Sequence, residues 1–159
     1  EDVFEEYVLE ILKLRCAKYN PHLEVLNGKM PPNGGGKILF DDPPSERADP
    51  DVVFRFNAIA GPKFPLIMDA KYKVTEQPAR PDLNQVISYG CSYRSPVVVL
   101  VSPAPKDKPS GLRLLGTIDR MSVYDYKIDL SNPTPEIEED KFFDVLVELI
   151  PEMKEPADL

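Results

Sequence analysis

Pro50-Asp51-Val52-Val53-Phe54-Arg55-Phe56-Asn57-Ala58 and, after Gly61-Pro62, Leu66-Ile67-Met68-Asp69-Ala70-Lys71-Tyr72 form the stretch that decides the fold. The first run, Asp51–Ala58, reads as a strand rich in β-branched and aromatic residues. Gly61-Pro62 marks a turn. The second run, Leu66–Tyr72, opens with three consecutive apolar residues, the mark of a strand buried on both faces of a sheet. Two such strands joined by a turn pair antiparallel, which brings the start of the first beside the end of the second.

Outward from this hairpin the pattern alternates. Upstream, Val3, Phe4, Tyr7, Val8, Ile11 and Leu12 recur at helical spacing, predicting an amphipathic helix over 3–19 that Asn20-Pro21 stops. A short strand is expected at Leu23–Leu26, then a flexible loop through Asn27-Gly28 and Pro31-Pro32-Asn33-Gly34-Gly35-Gly36, a short strand Lys37–Phe40, and a polar loop Asp41–Ala48. Downstream, Val74–Arg80 reads as a loop, and Pro81 opens a helix reaching Tyr93, since proline in a first turn loses no hydrogen bond. Pro96–Val101 is a second all-apolar strand. Leu112–Ile118 and Met121–Leu130 are two more, the latter aligning Tyr124, Tyr126, Ile128 and Leu130 on one face. A final amphipathic helix covers Glu138–Leu149. The predicted class is α/β: a mixed central β-sheet flanked by helices, in one domain of 159 residues with a core over roughly 1–130 and an acidic C-terminal helix at 136–150.

Composition narrows the function classes. The net charge is -8, which argues against a generic nucleic-acid binder. The charge is uneven, however. Residues 131–159 carry nine acids and two bases, whereas 21–130 carry thirteen acids and fourteen bases, so the centre of the chain can still face phosphates. The two cysteines, Cys16 and Cys91, lie in apolar patterns and make neither a disulfide framework nor a metal cluster; reduced buried thiols in a cytoplasmic protein are expected. The one histidine, His22, sits in a turn-like segment, so histidine-centred catalysis is not expected. No apolar run is long enough for a membrane span and no signal peptide is visible. The three-glycine run lacks the spacing of a phosphate loop.

The chemistry concentrates on the hairpin. Asp69 and Lys71 are two apart on a strand and so project from the same face. An edge ion pair would account for these two alone. Asp51, however, starts the neighbouring strand and converges on Asp69. Two carboxylates that close repel unless one is protonated or a cation lies between them, and Mg²⁺ prefers such oxygen ligands. Glu5 falls inside the apolar arc of the first helix, between Leu12 and Cys16, whereas Glu6 and Glu10 fall on the polar flank. A core-facing acid is costly unless paired or metal-bound; a shift in helix phase that lets Glu5 reach water is the alternative. Gln85 and Tyr89, four apart on the second helix, share a face; they either orient Lys71 or a phosphate, or form a solvent-facing polar pair. A metal held by Asp51 and Asp69, with Glu5 binding directly or through water and Lys71 orienting the water or offsetting charge, suits phosphodiester hydrolysis.

Pro50-Asp51 followed by Asp69-Ala70-Lys71 resembles the signature of the PD-(D/E)XK nuclease superfamily. The context Phe4-Glu5-Glu6-Tyr7-Val8, Ala48-Asp49-Pro50-Asp51-Val52-Val53, Met68-Asp69-Ala70-Lys71-Tyr72-Lys73 and Asp82-Leu83-Asn84-Gln85-Val86-Ile87-Ser88-Tyr89 is similar to McrC, the nuclease subunit family of McrBC modification-dependent restriction systems. The likeness covers about residues 1–101. It implies a restriction-endonuclease-like core and a catalytic set of Asp51, Asp69 and Lys71, with Glu5 assisting and Gln85 near the site. It also implies Mg²⁺, for which Mn²⁺ would substitute, and double-stranded DNA as substrate. The implied partner is an McrB-like GTPase that recognises methylated cytosine and translocates DNA, and the arrangement allows for a homodimer. McrC proteins usually carry a further N-terminal domain that engages the GTPase ring. Its absence from this sequence leaves an isolated catalytic domain or a distinct relative as the expectation. Two other readings stand beside this one: a catalytically silent nuclease-fold module that binds a partner protein, and a DNA-repair nuclease of the same superfamily.

Overall fold

The antiparallel hairpin at the centre of the sequence is also the centre of the fold. In the computed structural model, residues 2–31 and 34–154 are described. Pro32 and Asn33 of the expected loop, and the last five residues of the acidic tail, lie outside them. The elements are α1 (Asp2–Tyr19), β1 (Leu23–Leu26), β2 (Lys37–Asp41), β3 (Pro44–Ala48), β4 (Val52–Ala58), β5 (Gly61–Ala70), α2 (Arg80–Tyr93), β6 (Val97–Pro103), β7 (Gly111–Ile118), β8 (Met121–Ile128) and α3 (Pro135–Leu149), closed by a single 3-10 turn at Pro151–Lys154.

Six strands form one mixed sheet in the order β1-β4-β5-β6-β8-β7. β1, β4 and β5 pair antiparallel, β5, β6 and β8 run parallel, and β7 returns antiparallel to β8. The parallel step from β5 to β6 needs a crossover, and α2 supplies it. Each face of the central strands is covered. Met68, Ala70, Val99, Val101, Tyr126 and Ile128 pack beneath α1 and α3, together with Val8, Leu12, Phe142 and Leu146. Ile67, Val98, Leu100 and Val123 pack on the other face against Val86, Tyr89 and Tyr93 of α2. This double coverage is why β5 and β6 read as continuous apolar runs rather than alternating ones. The expected α/β class with a mixed, helix-flanked sheet is what the chain forms.

Several boundaries and assignments differ from expectation for physical reasons. Asp41–Ala48 is not a loop throughout: β3 pairs with β2 as a separate two-stranded ribbon beside α2. Its two prolines and its exposed Ser45, Glu46 and Arg47 hide it, because an edge ribbon needs neither an apolar face nor every backbone N–H. β5 begins at Gly61, whose φ of 121° makes the tight turn from β4, and ends at Ala70, one residue before Lys71. β8 buries both of its faces, so Val123 and Asp125 are as enclosed as Tyr126 and Ile128, while Leu130 lies beyond the strand and is exposed. α3 starts at Pro135 and contributes Phe142, Phe143 and Leu146 to the main core, so the core continues past residue 130. Val3 is exposed, and Leu9 takes a core place in α1 instead. Cys16 is buried, which pushes its thiol up to about 12, but Cys91 is exposed, contrary to its apolar context. Among the described residues no helix is long and apolar enough to cross a membrane.

Candidate active site

The register of the hairpin sets the site. Val52 pairs with Met68, and extending this antiparallel ladder by one residue brings Asp51 opposite Asp69. Both aspartates are buried. The backbone N–H of Ala70 donates to Asp51 Oδ2 at 2.7 Å, aiming the carboxylate across the strand end. The strand register thus sets the two carboxyl groups side by side, near enough for the Asp69 charge to act on Asp51. Burial first, and then the Asp69 charge, pushes the Asp51 carboxyl up to about 6, against the pull of the Ala70 N–H and Lys29. Asp69 is likewise held above the usual carboxylate range, chiefly by burial and in spite of Lys71. Burial is the first cause of both shifts.

Lys71 lies one residue past β5, yet its backbone N–H still bonds Val101 O at 2.8 Å, so it keeps the strand's direction. Its ammonium sits 2.9 Å from Asp69 Oδ2 and donates to Gln85 Oε1 at 3.0 Å. Burial alone would lower its pKa; the Asp69 carboxylate outweighs that and raises it. Gln85 Nε2 donates in turn to Tyr89 OH at 3.0 Å. Tyr89, on the sheet-facing side of α2, is buried, and burial followed by the Asp69 charge raises its phenol. Gln85 is exposed and Tyr89 is buried, so the pair runs from the α2 core out to Lys71.

Glu5 stands in the first turn of α1, where a carboxylate suits the helix N-terminus. Its side chain is only partly exposed, as its place in the apolar arc predicts, while Glu6 and Glu10 face outward. It does not meet the aspartates directly. The ammonium of Lys29 intervenes, 2.5 Å from Glu5 Oε2 and 3.0 Å from Asp51 Oδ1. Among the described residues no three acidic, histidine or cysteine side chains form a ready-made metal cage. The oxygen donors that fit a hard divalent cation are Asp51 and Asp69, and Glu5 is separated from them by one lysine. A cleft of about 230 Å³ lined by Glu5, Glu6, Lys29 and Asp51 opens onto this arrangement. A larger cavity of about 530 Å³, walled by Val3, Phe4, Tyr7, Tyr72 and Leu130, lies beside Glu5 and Lys71 in sequence but contains neither aspartate.

Lys29 is the site residue that the sequence reading missed. It follows Asn27-Gly28, and this turn is clamped against the Pro50-Asp51 corner: a Cβ on Gly28 would collide with Pro50 O. The nearby signal was the glycine of that turn, whose close approach to Pro50 only the folded chain reveals. A second unforeseen cluster lies on β8. Asp125 is buried, 3.2 Å from an Arg113 nitrogen and 3.5 Å from Lys127 Nζ, and Lys127 donates to Ser102 Oγ at 2.6 Å. Asp125 and Lys127 share a narrow cleft with Lys71. An acid between two tyrosines in a strand was the available signal.

No known protein-family model matches this chain, and no curated protein matches it either.

Proposed function

We propose that this chain is the catalytic core of a metal-dependent DNA nuclease of the PD-(D/E)XK type, with a restriction-endonuclease-like fold and an McrC-like lineage. The observation that carries this reading is the meeting of Asp51 and Asp69 at paired strand ends, with Lys71 ion-paired to Asp69 in the same corner. Buried carboxylates brought together with no chemical purpose would be a liability to folding. Their convergence with a lysine suits phosphoryl chemistry.

In this reading the residues take the following roles. Asp51 and Asp69 would hold Mg²⁺ or Mn²⁺, which supplies Lewis-acid polarisation of a phosphoryl oxygen and a more acidic water. The Ala70 N–H fixes the direction of Asp51. Lys71 presents its ammonium where negative charge builds on the phosphate during hydrolysis. Gln85 holds Lys71 through its Oε1, and Tyr89 holds Gln85, so that the lysine is preorganised by α2 rather than by the strand alone. Glu5 serves from α1 as an outer acid. The substrate is double-stranded DNA. Because the protein is acidic overall, recognition and delivery of DNA fall to a partner in this reading, a GTPase of the McrB kind.

The test is cleavage of supercoiled plasmid in Mg²⁺ or Mn²⁺, with and without such a GTPase. Nicking or linearisation that disappears in Asp69→Ala and Lys71→Ala supports the reading. Cleavage surviving both changes excludes this site.

A further inference from the structure

Resting on the metal-site reading above, we propose that Lys29 is the resident cation of the acidic corner, and that a divalent metal must displace its ammonium to bind. Lys29 Nζ bridges Glu5 and Asp51 at 2.5 and 3.0 Å and so links Glu5 to the aspartate pair. It occupies the space in which a metal shared by these carboxylates would sit. A divalent cation shared by these carboxylates would lie within a few ångströms of the Lys29 ammonium, and like charges at that range repel, so the two compete.

The backbone of Lys29 is built for this. Its N–H donates to Asn27 Oδ1 at 2.9 Å, and its carbonyl accepts from the Arg47 guanidinium at 2.9 Å. Gly28 presses on Pro50. The peptide is thus anchored beside Asp51 while the side chain, 46% exposed, is a flexible four-carbon tether free to swing into solvent. Lys71 differs: its side chain is more enclosed and it is held by Gln85 as well as by Asp69, so it stays when the metal arrives. The charge count agrees. Glu5, Asp51 and Asp69 carry three negative charges against the two lysines; a divalent cation added to all five leaves an excess of positive charge, and removing Lys29 restores neutrality. Lys29 therefore holds the carboxylates together in the metal-free protein and sets a threshold for metal entry.

The experiment is calorimetric titration of Mn²⁺ into the wild-type protein, Lys29→Met and Lys29→Arg, with Asp69→Asn as the site control. The expected result is about tenfold tighter Mn²⁺ binding by Lys29→Met, with Lys29→Arg near wild type because it keeps the charge. The metal-free Lys29→Met protein should also melt lower than wild type and gain more from Mn²⁺. If Lys29→Met does not fold, Lys29→Gln replaces it with the same expectation. Equal or weaker binding by the neutral variant overturns the competition while leaving the metal site standing. Binding by neither protein at millimolar Mn²⁺ overturns the metal site itself.

Discussion

The Ala70 N–H donates to Asp51 Oδ2 at 2.7 Å, so the first residue of the site is positioned by the backbone beside the second, Asp69. An amide oxygen can still accept that bond, more weakly than an ionised carboxylate, while the charge is lost. Asp51→Asn should therefore fold with near-native stability but lose divalent-cation affinity and cleavage. Thermal melts paired with Mn²⁺ calorimetry check this. Unchanged Mn²⁺ affinity would remove Asp51 from the site.

In the proposed site Gln85 acts through Lys71, whose ammonium donates to it. Replacing it by leucine removes the acceptor at 3.0 Å from the lysine and the donor to Tyr89. Losses of about 10–100-fold are typical when such an outer-shell partner is removed. The expected pattern is a fall in kcat of that size with Mn²⁺ affinity intact. Loss of metal binding in Gln85→Leu would show that the residue supports the carboxylates instead.

Asp51 titrates at about 6 in the folded protein, against 3.8 when unperturbed. The folded state thus binds this proton more tightly than the unfolded chain, and Asp69 is shifted in the same direction. Between 3.8 and about 6 the folded state holds the extra proton, so the stability it confers is lost as pH rises through that window. Urea titrations of the metal-free protein should show this contribution shrinking by about 1–3 kcal/mol from pH 4 to pH 7. Metal binding needs the ionised pair, so Mn²⁺ affinity should weaken as pH falls below about 6. The two slopes have opposite signs and can be measured separately.

Phe142 of α3 is fully buried and packs against Tyr126 in a tilted pair with ring centroids 4.6 Å apart. Truncating it to alanine should cost about 3–5 kcal/mol, measured by urea unfolding. A loss below about 1 kcal/mol would mean that α3 is an appendage and not part of the core.

The hairpin and its acids were legible in the sequence because each signal was local or nearly so. Spacing of two placed Asp69 and Lys71 together, a single turn placed Asp51 opposite, and the helical arc flagged Glu5. The same local logic misled on β8, where alignment of Tyr124, Tyr126 and Ile128 on one face concealed that Asp125 is buried on the other. It missed β3, whose pairing with β2 is made by the backbone and leaves its side chains polar. It could not find Lys29, which faces Glu5 from 24 residues away and owes its place to the packing of Gly28 on Pro50. Long-range partners of a charged, half-exposed side chain leave no periodic trace.

The central claim is that Asp51 and Asp69 hold a divalent cation. Its most direct test is a crystal soaked in Mn²⁺ and measured for anomalous scattering at the manganese edge. The expected result is a peak between the Asp51 and Asp69 carboxylates, with the Lys29 ammonium moved off Asp51 and Lys71 still on Gln85. A map with no peak there, and Lys29 still bridging Glu5 and Asp51, would contradict it.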